Sequence, residues 1–265
     1  MNLIKMLKKK IYNSDYIKRQ FNKYNPPLPE PPKGPFSQFG EDLILKFVFK
    51  ILKKKNLIQD ITYLDIGGNY PYAISNTYFL YQNGCKGVVI EPNPVLYEEF
   101  KKARPNDIVL NVGIHFTQNE EKIMPFYMFN HEANGASTFD KKQADSYLKI
   151  SDVAKNYETI QVEVANINTI IKEYFNDTAP TFISIDVEGI DLEIIKSLDF
   201  QKYRPSFWCI ETAEPCVGSV LGGKLQDTLD FMKLKNYVIY ADTYVNTIFI
   251  DEKLMQKLEE KQKVC

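Results

Sequence analysis

Apolar residues fall along this chain in two alternating rhythms. Short runs rich in β-branched and aromatic residues recur as Ile61-Thr62-Tyr63-Leu64, Gly87-Val88-Val89-Ile90, Ile108-Val109-Leu110-Asn111-Val112-Gly113, Thr181-Phe182-Ile183-Ser184-Ile185 and Ser206-Phe207-Trp208-Cys209-Ile210. Such runs, bounded by glycine, proline and polar clusters, predict strands buried on both faces. Helical spacing fills the intervals. Leu43, Ile44, Phe47, Val48, Ile51 and Leu52 predict one apolar helix face, which Lys53-Lys54-Lys55 ends. Ala73, Ile74, Thr77, Tyr78 and Tyr81 predict a helix directly after the first glycine turn, and Ile190, Ile194, Ile195 and Leu198 predict another. Further helices are expected after Pro94, after Ile167 and from about Lys224. Strand and helix in alternation imply parallel pairing with right-handed crossovers. Tyr237-Val238-Ile239-Tyr240 and Val245-Asn246-Thr247-Ile248-Phe249-Ile250 are too close for a crossover, so these last two strands must be antiparallel. The pattern predicts an α/β fold: a mostly parallel sheet, helices on both faces and one reversed strand near an edge.

Residues 117–166 break the rhythm. Met124 to Phe129 and Ile160 to Val164 read as strands, with polar sequence between them, and the region is expected to be an insertion over the strand ends, serving as a lid or substrate wall. Ahead of the main domain (37–265) lie a basic leader (1–24) and a linker (25–36) stiffened by Pro26, Pro27, Pro29, Pro31, Pro32 and Pro35. In the leader, Leu3, Ile4, Leu7 and Ile11 share one helical face. It reads as a solvated helix packed on its own domain, with weak contact to an anionic membrane surface as the alternative. A signal peptide needs a longer apolar centre and a small-residue cleavage site, so a cytoplasmic protein is expected. The net charge of -1 over 265 residues gives no field that favours nucleic acid. Cys85, Cys209, Cys216 and Cys265 have no zinc-type spacing and read as free thiols.

The candidate chemistry lies where strands stop. The first run continues into Asp65-Ile66-Gly67-Gly68-Asn69, the second ends at Glu91, the fourth continues into Asp186-Val187-Glu188-Gly189, and the fifth ends at Glu211. Ligands in open α/β sheets sit at these carboxyl ends. A dinucleotide turn wants G-x-G-x-x-G, and Asn69 with Tyr72, or Tyr70 with Ala73, breaks that pattern in either register. A nicotinamide oxidoreductase is therefore the weaker alternative, and a degenerate binding module the other. A ligand with a ribose but no pyrophosphate fits better, and S-adenosylmethionine is one. Its amino-acid end would meet the Gly67-Gly68-Asn69 backbone, Asp65 would hold its ammonium directly or through water, and Glu91 would accept its ribose hydroxyls. Helix capping does not account for Gln38, whose amide can also reach a ligand.

Taken in order, these pieces resemble the FkbM family, on class I S-adenosylmethionine-dependent methyltransferase architecture. The resemblance rests on Ser37-Gln38-Phe39-Gly40-Glu41-Asp42, Leu64-Asp65-Ile66-Gly67-Gly68-Asn69, Ser75-Asn76-Thr77-Tyr78 and Ile90-Glu91-Pro92-Asn93-Pro94. It continues through Asn111-Val112-Gly113-Ile114, Ser137-Thr138-Phe139-Asp140, Ile185-Asp186-Val187-Glu188-Gly189 and Cys209-Ile210-Glu211. Gly68 departs from the alanine that many members carry there. The resemblance implies a Rossmann-like sheet and O-methylation, often of a sugar hydroxyl in a glycan, glycan precursor or natural product. It places Asn93 with Glu91 at the cofactor, Asn76 as a brace of the loop and Asn111 near the adenine edge. A sugar hydroxyl must lose its proton during attack, and Asp186 and Glu188 are the candidate bases. The alternative is a divalent cation held by Asp186 with Glu188 or Glu211. A hard cation prefers more oxygen ligands than the close Asp186–Glu188 pair provides, which favours the metal-free base.

Overall fold

The computed structural model describes residues 30–31, 33–116, 122–129, 131–151, 154–214 and 223–262. The leader, half of the proline-rich linker, Cys216 and Cys265 lie outside these residues. The chain runs through α1 (Glu41–Lys54), β1 (Thr62–Ile66), α2 (Tyr78–Gln82), β2 (Lys86–Ile90), α3 (Pro94–Ala103) and β3 (Ile108–Leu110). It continues with β4 (Gly113–Ile114), β5 (Ile123–Phe129), a 3-10 segment (His131–Ala136), α4 (Lys141–Ile150) and β6 (Tyr157–Ala165). The last part contains α5 (Ile167–Tyr174), β7 (Phe182–Ile185), α6 (Asp191–Ser197), β8 (Phe207–Glu211), α7 (Gln226–Leu234), β9 (Tyr237–Asp242), β10 (Asn246–Asp251) and α8 (Glu252–Gln262).

The main sheet has seven strands in the order β3-β2-β1-β7-β8-β10-β9. Pairing is parallel from β3 to β8, and β10 runs antiparallel to both of its neighbours. The reversed strand is thus the second from the edge. Side chains alternate across the sheet. Leu64, Ile66, Ile183 and Ile185 pack on one face with Ile170 and Ile171 of α5 and Ile194 and Ile195 of α6. Tyr63, Phe182 and Phe207 pack on the other with α1, Phe79 of α2 and Leu258 of α8. β5 and β6 of the insertion join β4 in a separate three-stranded sheet in the order β4-β6-β5.

Two helices depart from the periodicity reading. In α1 the buried apolar residues are Leu45, Val48, Phe49 and Leu52, while Leu43 and Phe47 are 54% and 63% exposed. The helix is apolar nearly all round, so spacing alone allows either face. Ring contacts of Phe49 with Phe182 at 6.1 Å and Phe207 at 5.1 Å select the inner one. The helix expected from Ala73 begins only at Tyr78. Ser75 Oγ accepts the N–H groups of Thr77 and Tyr78, and Ile74 takes a left-handed backbone with φ 53°. Side-chain acceptors here compete with helical pairing and delay its start.

Candidate active site at the carboxyl ends of the sheet

Strand register builds the site. Leu110, Ile90, Ile66, Ile185 and Ile210 pair level across five neighbouring strands. The residues that follow them, Asn111, Glu91, Gly67, Asp186 and Glu211, therefore emerge along one edge. At its centre, Gly67 and Gly68 donate their N–H groups to Ile90 O at 3.0 and 3.2 Å, and Asp186 N–H donates to Ile66 O at 3.1 Å. Gly67 has φ +80°, and a Cβ there would stand 1.9 Å from Asp186 O. Glycine is thus required both by the turn and by the contact between two strand ends.

Glu91 fastens this turn. Its carboxylate accepts Asn69 N–H and Asn93 N–H, each at 2.8 Å. Burial pushes its pKa up to about 8, against the pull of those two donors. A cavity of about 200 Å³ lies beside it. Of the expected site residues, Gln38, Gly67, Asn69, Glu91 and Asn93 line this cavity, and so do Asp186, Glu188 and Glu211 across from them.

The remaining expected residues lie outside the lining, each for a visible reason. Strand alternation turns Asp65 beneath the turn, where it accepts Thr77 Oγ1–H and faces Arg104 Nη1 at 4.0 Å. Burial raises its pKa, opposed by the Arg104 charge and the Thr77 bond. Gly68 is a packing glycine: a Cβ would meet Val89 Cγ1 at 2.7 Å and Phe100 Cζ at 2.8 Å. Asn76 Nδ2 donates to Ser184 Oγ at 3.2 Å. Asn111 Nδ2 holds the Glu91 and Pro92 carbonyls at 2.9 and 3.0 Å, so it braces the backbone that carries Glu91.

The insertion contributes residues to which the sequence assigned no role. Phe126, Asn134, Ser137 and Phe139 line the same cavity. Tyr147 of α4 donates its hydroxyl to Glu188 Oε2 at 2.6 Å, and Thr138 donates to Glu188 O at 2.9 Å. Glu188 thus stands in a left-handed backbone (φ 56°) held from two sides. Strain of that kind in a short loop accompanies functional positions. The Asn134-Gly135 pair was readable as a turn. Nothing in the spacing of α4 marked Tyr147.

Oxygens of Asp186, Glu188 and Glu211 all lie within 4.8 Å of one another. Asp186 and Glu211 face each other within that distance. Burial and the neighbouring carboxylates raise both well above the usual range. Burial brings Glu188 up to about 7, against the Tyr147 bond. Behind them Asp191 caps the loop by accepting Val187 N–H and Gly189 N–H at 3.2 and 3.3 Å. The arrangement can take up, hold and release a proton near neutral pH.

An S-adenosylmethionine-type ligand fits these residues. Asn69 Oδ1 is buried at the turn with no hydrogen-bond partner among the described residues. An orphaned acceptor of this kind suits an ammonium or hydroxyl donor from a ligand. Glu91 keeps lone pairs beyond the two it commits to the backbone.

The sequence profile of the family described as "Methyltransferase FkbM domain" matches residues 65–239. No curated protein sequence matches the chain. Among solved structures, an O-methyltransferase from Bacillus cereus in complex with SAH is 12% identical, with a TM-score of 0.40 over 93% of this chain and 95% of that one. A TehB-like SAM-dependent methyltransferase from Corynebacterium glutamicum is 9% identical, with a TM-score of 0.39 over 80% of this chain and 88% of that one. No helix among the described residues is long and apolar enough to cross a membrane.

Proposed function

Because the chain belongs to the FkbM methyltransferase family and is an S-adenosylmethionine-dependent methyltransferase, we propose that it methylates a hydroxyl oxygen, that of a sugar in a glycan, glycan precursor or natural product. The observation that carries this reading is the facing of the Gly67–Glu91 turn and the Asp186–Glu188–Glu211 carboxyls across one cavity. The turn suits a methyl donor and the carboxyls suit the removal of a proton. Gly67, Asn69, Glu91 and Asn93 would hold the cofactor, with Gln38 at the same wall. Bound S-adenosylmethionine supplies an electrophilic methyl carbon whose leaving group is a neutral thioether. The acceptor oxygen must shed its proton as the new O–C bond forms. Glu188, poised near neutral pH and oriented by Tyr147, takes that proton. Burial and mutual repulsion hold Asp186 and Glu211 toward their protonated forms, which spares those two from facing each other as full charges.

A second reading, a divalent cation on the three carboxylates, is favoured only by their close approach. Chelation separates the two: a base leaves activity intact in EDTA, whereas a metal site loses it and regains it with Mg²⁺ or Mn²⁺. The reading as a whole is tested by calorimetry with S-adenosylhomocysteine and with NAD, joined to the methyl content of the host glycan after gene deletion. Binding of the first ligand and loss of one methyl group are expected. Binding of NAD alone would return the chain to the oxidoreductase reading.

A further inference from the structure

Glu188 and Glu211 face a second cavity as well, about 490 Å³ in volume. They are the lining residues common to both cavities among the described residues. The acid assigned to the reacting hydroxyl, Glu188, and Glu211 beside it therefore stand in the partition between a space beside the glycine turn and a space bounded by α6 and the start of α7.

The chemistry of that second space is one-sided. Glu188, Asp191, Glu193, Glu211, Glu214 and Asp227 line it, with Lys224 as the one cation among its described residues. Lys224 is committed elsewhere. Its Nζ lies 2.9 Å from Asp242 Oδ1 and donates to Tyr244 O at 2.6 Å and Thr212 Oγ1 at 3.0 Å. Two helix N-termini border the space and could have drawn an anion. Each already carries acids of its own: Asp191 and Glu193 in the first turn of α6, Asp227 in that of α7. The N–H groups of Val187 and Gly189 are taken by Asp191. Among the described lining residues, the one cation that could pair with a phosphate or carboxylate is thus already engaged. Carboxylates and the amides of Gln143 and Gln226 line it instead, and these bind hydroxyl and ammonium groups.

We propose that this second cavity is the acceptor subsite, and that it selects a polyol unit that is neutral or bears an amine, rejecting sugar phosphates, nucleoside-diphosphate sugars and uronic acids. The inference rests on the methyl-transfer reading and narrows it. It makes Gln226 and Asp227 specificity residues remote from the glycine turn.

Ligand-observed NMR on the full chain saturated with S-adenosylhomocysteine tests it, with methyl glucoside, glucosamine and glucuronic acid as isosteric probes. Methyl glucoside and glucosamine bind, and glucuronic acid binds about tenfold or more weakly, the effect of bringing an anion among like charges. Asp227→Lys narrows that gap. Gln226→Trp, at an exposed position, removes sugar binding while calorimetry finds S-adenosylhomocysteine affinity unchanged. The proposal is overturned if glucuronic acid binds as well as methyl glucoside. It is overturned equally if sugar binding survives Gln226→Trp, or if no probe binds to the cofactor-loaded protein. Failure of S-adenosylhomocysteine to bind the wild type is a separate readout, and it counts against the methyl-transfer reading instead.

Discussion

Glu188 and Glu91 show how one residue type does two jobs within one cavity. Glu188 has a hydroxyl partner and a pKa near 7, while Glu91 has two backbone N–H partners and a pKa near 8. The first can exchange a proton with little rearrangement. The second is part of the turn itself. Glu188→Gln keeps the shape and the acceptor for Tyr147 but cannot take a proton. Its turnover should fall by about 10²–10⁴ with S-adenosylhomocysteine affinity retained, the usual scale for a positioned base. In the wild type, kcat/KM should rise with pH through about 7, because the ionised form is the base. An unchanged rate in the variant removes Glu188 from the chemical step. Glu91→Ala should act on both binding and folding. It leaves the N–H groups of Asn69 and Asn93 without their acceptor. We expect losses of about 1–3 kcal/mol in cofactor affinity by calorimetry and in stability by denaturant unfolding. A variant weakened in binding alone would reduce Glu91 to a ligand contact.

At the scale of elements, the glycine turn is where two strands are locked together. Gly67→Ala places a methyl group against Asp186 O, which was 1.9 Å from the added carbon, and Asp186 lies on a different strand end. Gly84 also has positive φ (+71°) but open space around it. Gly84→Ala should therefore cost only the backbone strain, about 1 kcal/mol. Gly67→Ala should cost clearly more and abolish S-adenosylhomocysteine binding. Equal melting temperatures for the two variants would contradict the locked-turn account. The succession of strands along the chain and the acids at the ends of four of them were legible because buried parallel strands read as continuous apolar runs, and four of those runs stop at or beside an acid. What was not legible depends on partners distant in sequence. The inner face of α1 is chosen by Phe182 and Phe207. Asp65 lies at a strand end like Glu91, yet Thr77 and Arg104 claim it. Glu41 and Asp42 fall in the first turn of α1, where the helix dipole favours acids on local grounds. Instead Glu41 is a buried acceptor for Thr243 and Asn246, tying α1 to the β9–β10 turn.

For the whole molecule, the site concentrates acid on one edge of the sheet, and that has a consequence for stability against pH. Burial raises the pKa of Asp65, Glu91, Asp186, Glu188, Asp191 and Glu211, to about 8, 7 and 6 for Glu91, Glu188 and Asp191. A carboxyl group with a folded pKa above its unfolded one binds more protons when folded. Stability must then fall as pH rises from the unfolded value, near 4, through the folded ones. Glu41, Asp145, Asp177 and Asp242 are shifted the other way, and their contribution is lost on acidification below about pH 4. Asp145 and Asp177 sit in exposed ion pairs and contribute little. The optimum for the ligand-free protein should therefore lie near pH 5, with a decline to pH 8. Glu188 moves from 4.5 to about 7. That shift corresponds to at most about 3 kcal/mol, and partial exposure reduces it to roughly 1–2 kcal/mol. Glu188→Gln should accordingly melt higher than the wild type at pH 8 and level with it at pH 4.5, while being nearly inactive at both. Thermal scans at the two pH values check this directly. A wild type that gains stability steadily from pH 5 to pH 8 would mean that the carboxyls ionise without cost in the folded state. The edge would then be wetter, or better supplied with cations, than the geometry of Glu91, Asp186 and Glu211 allows.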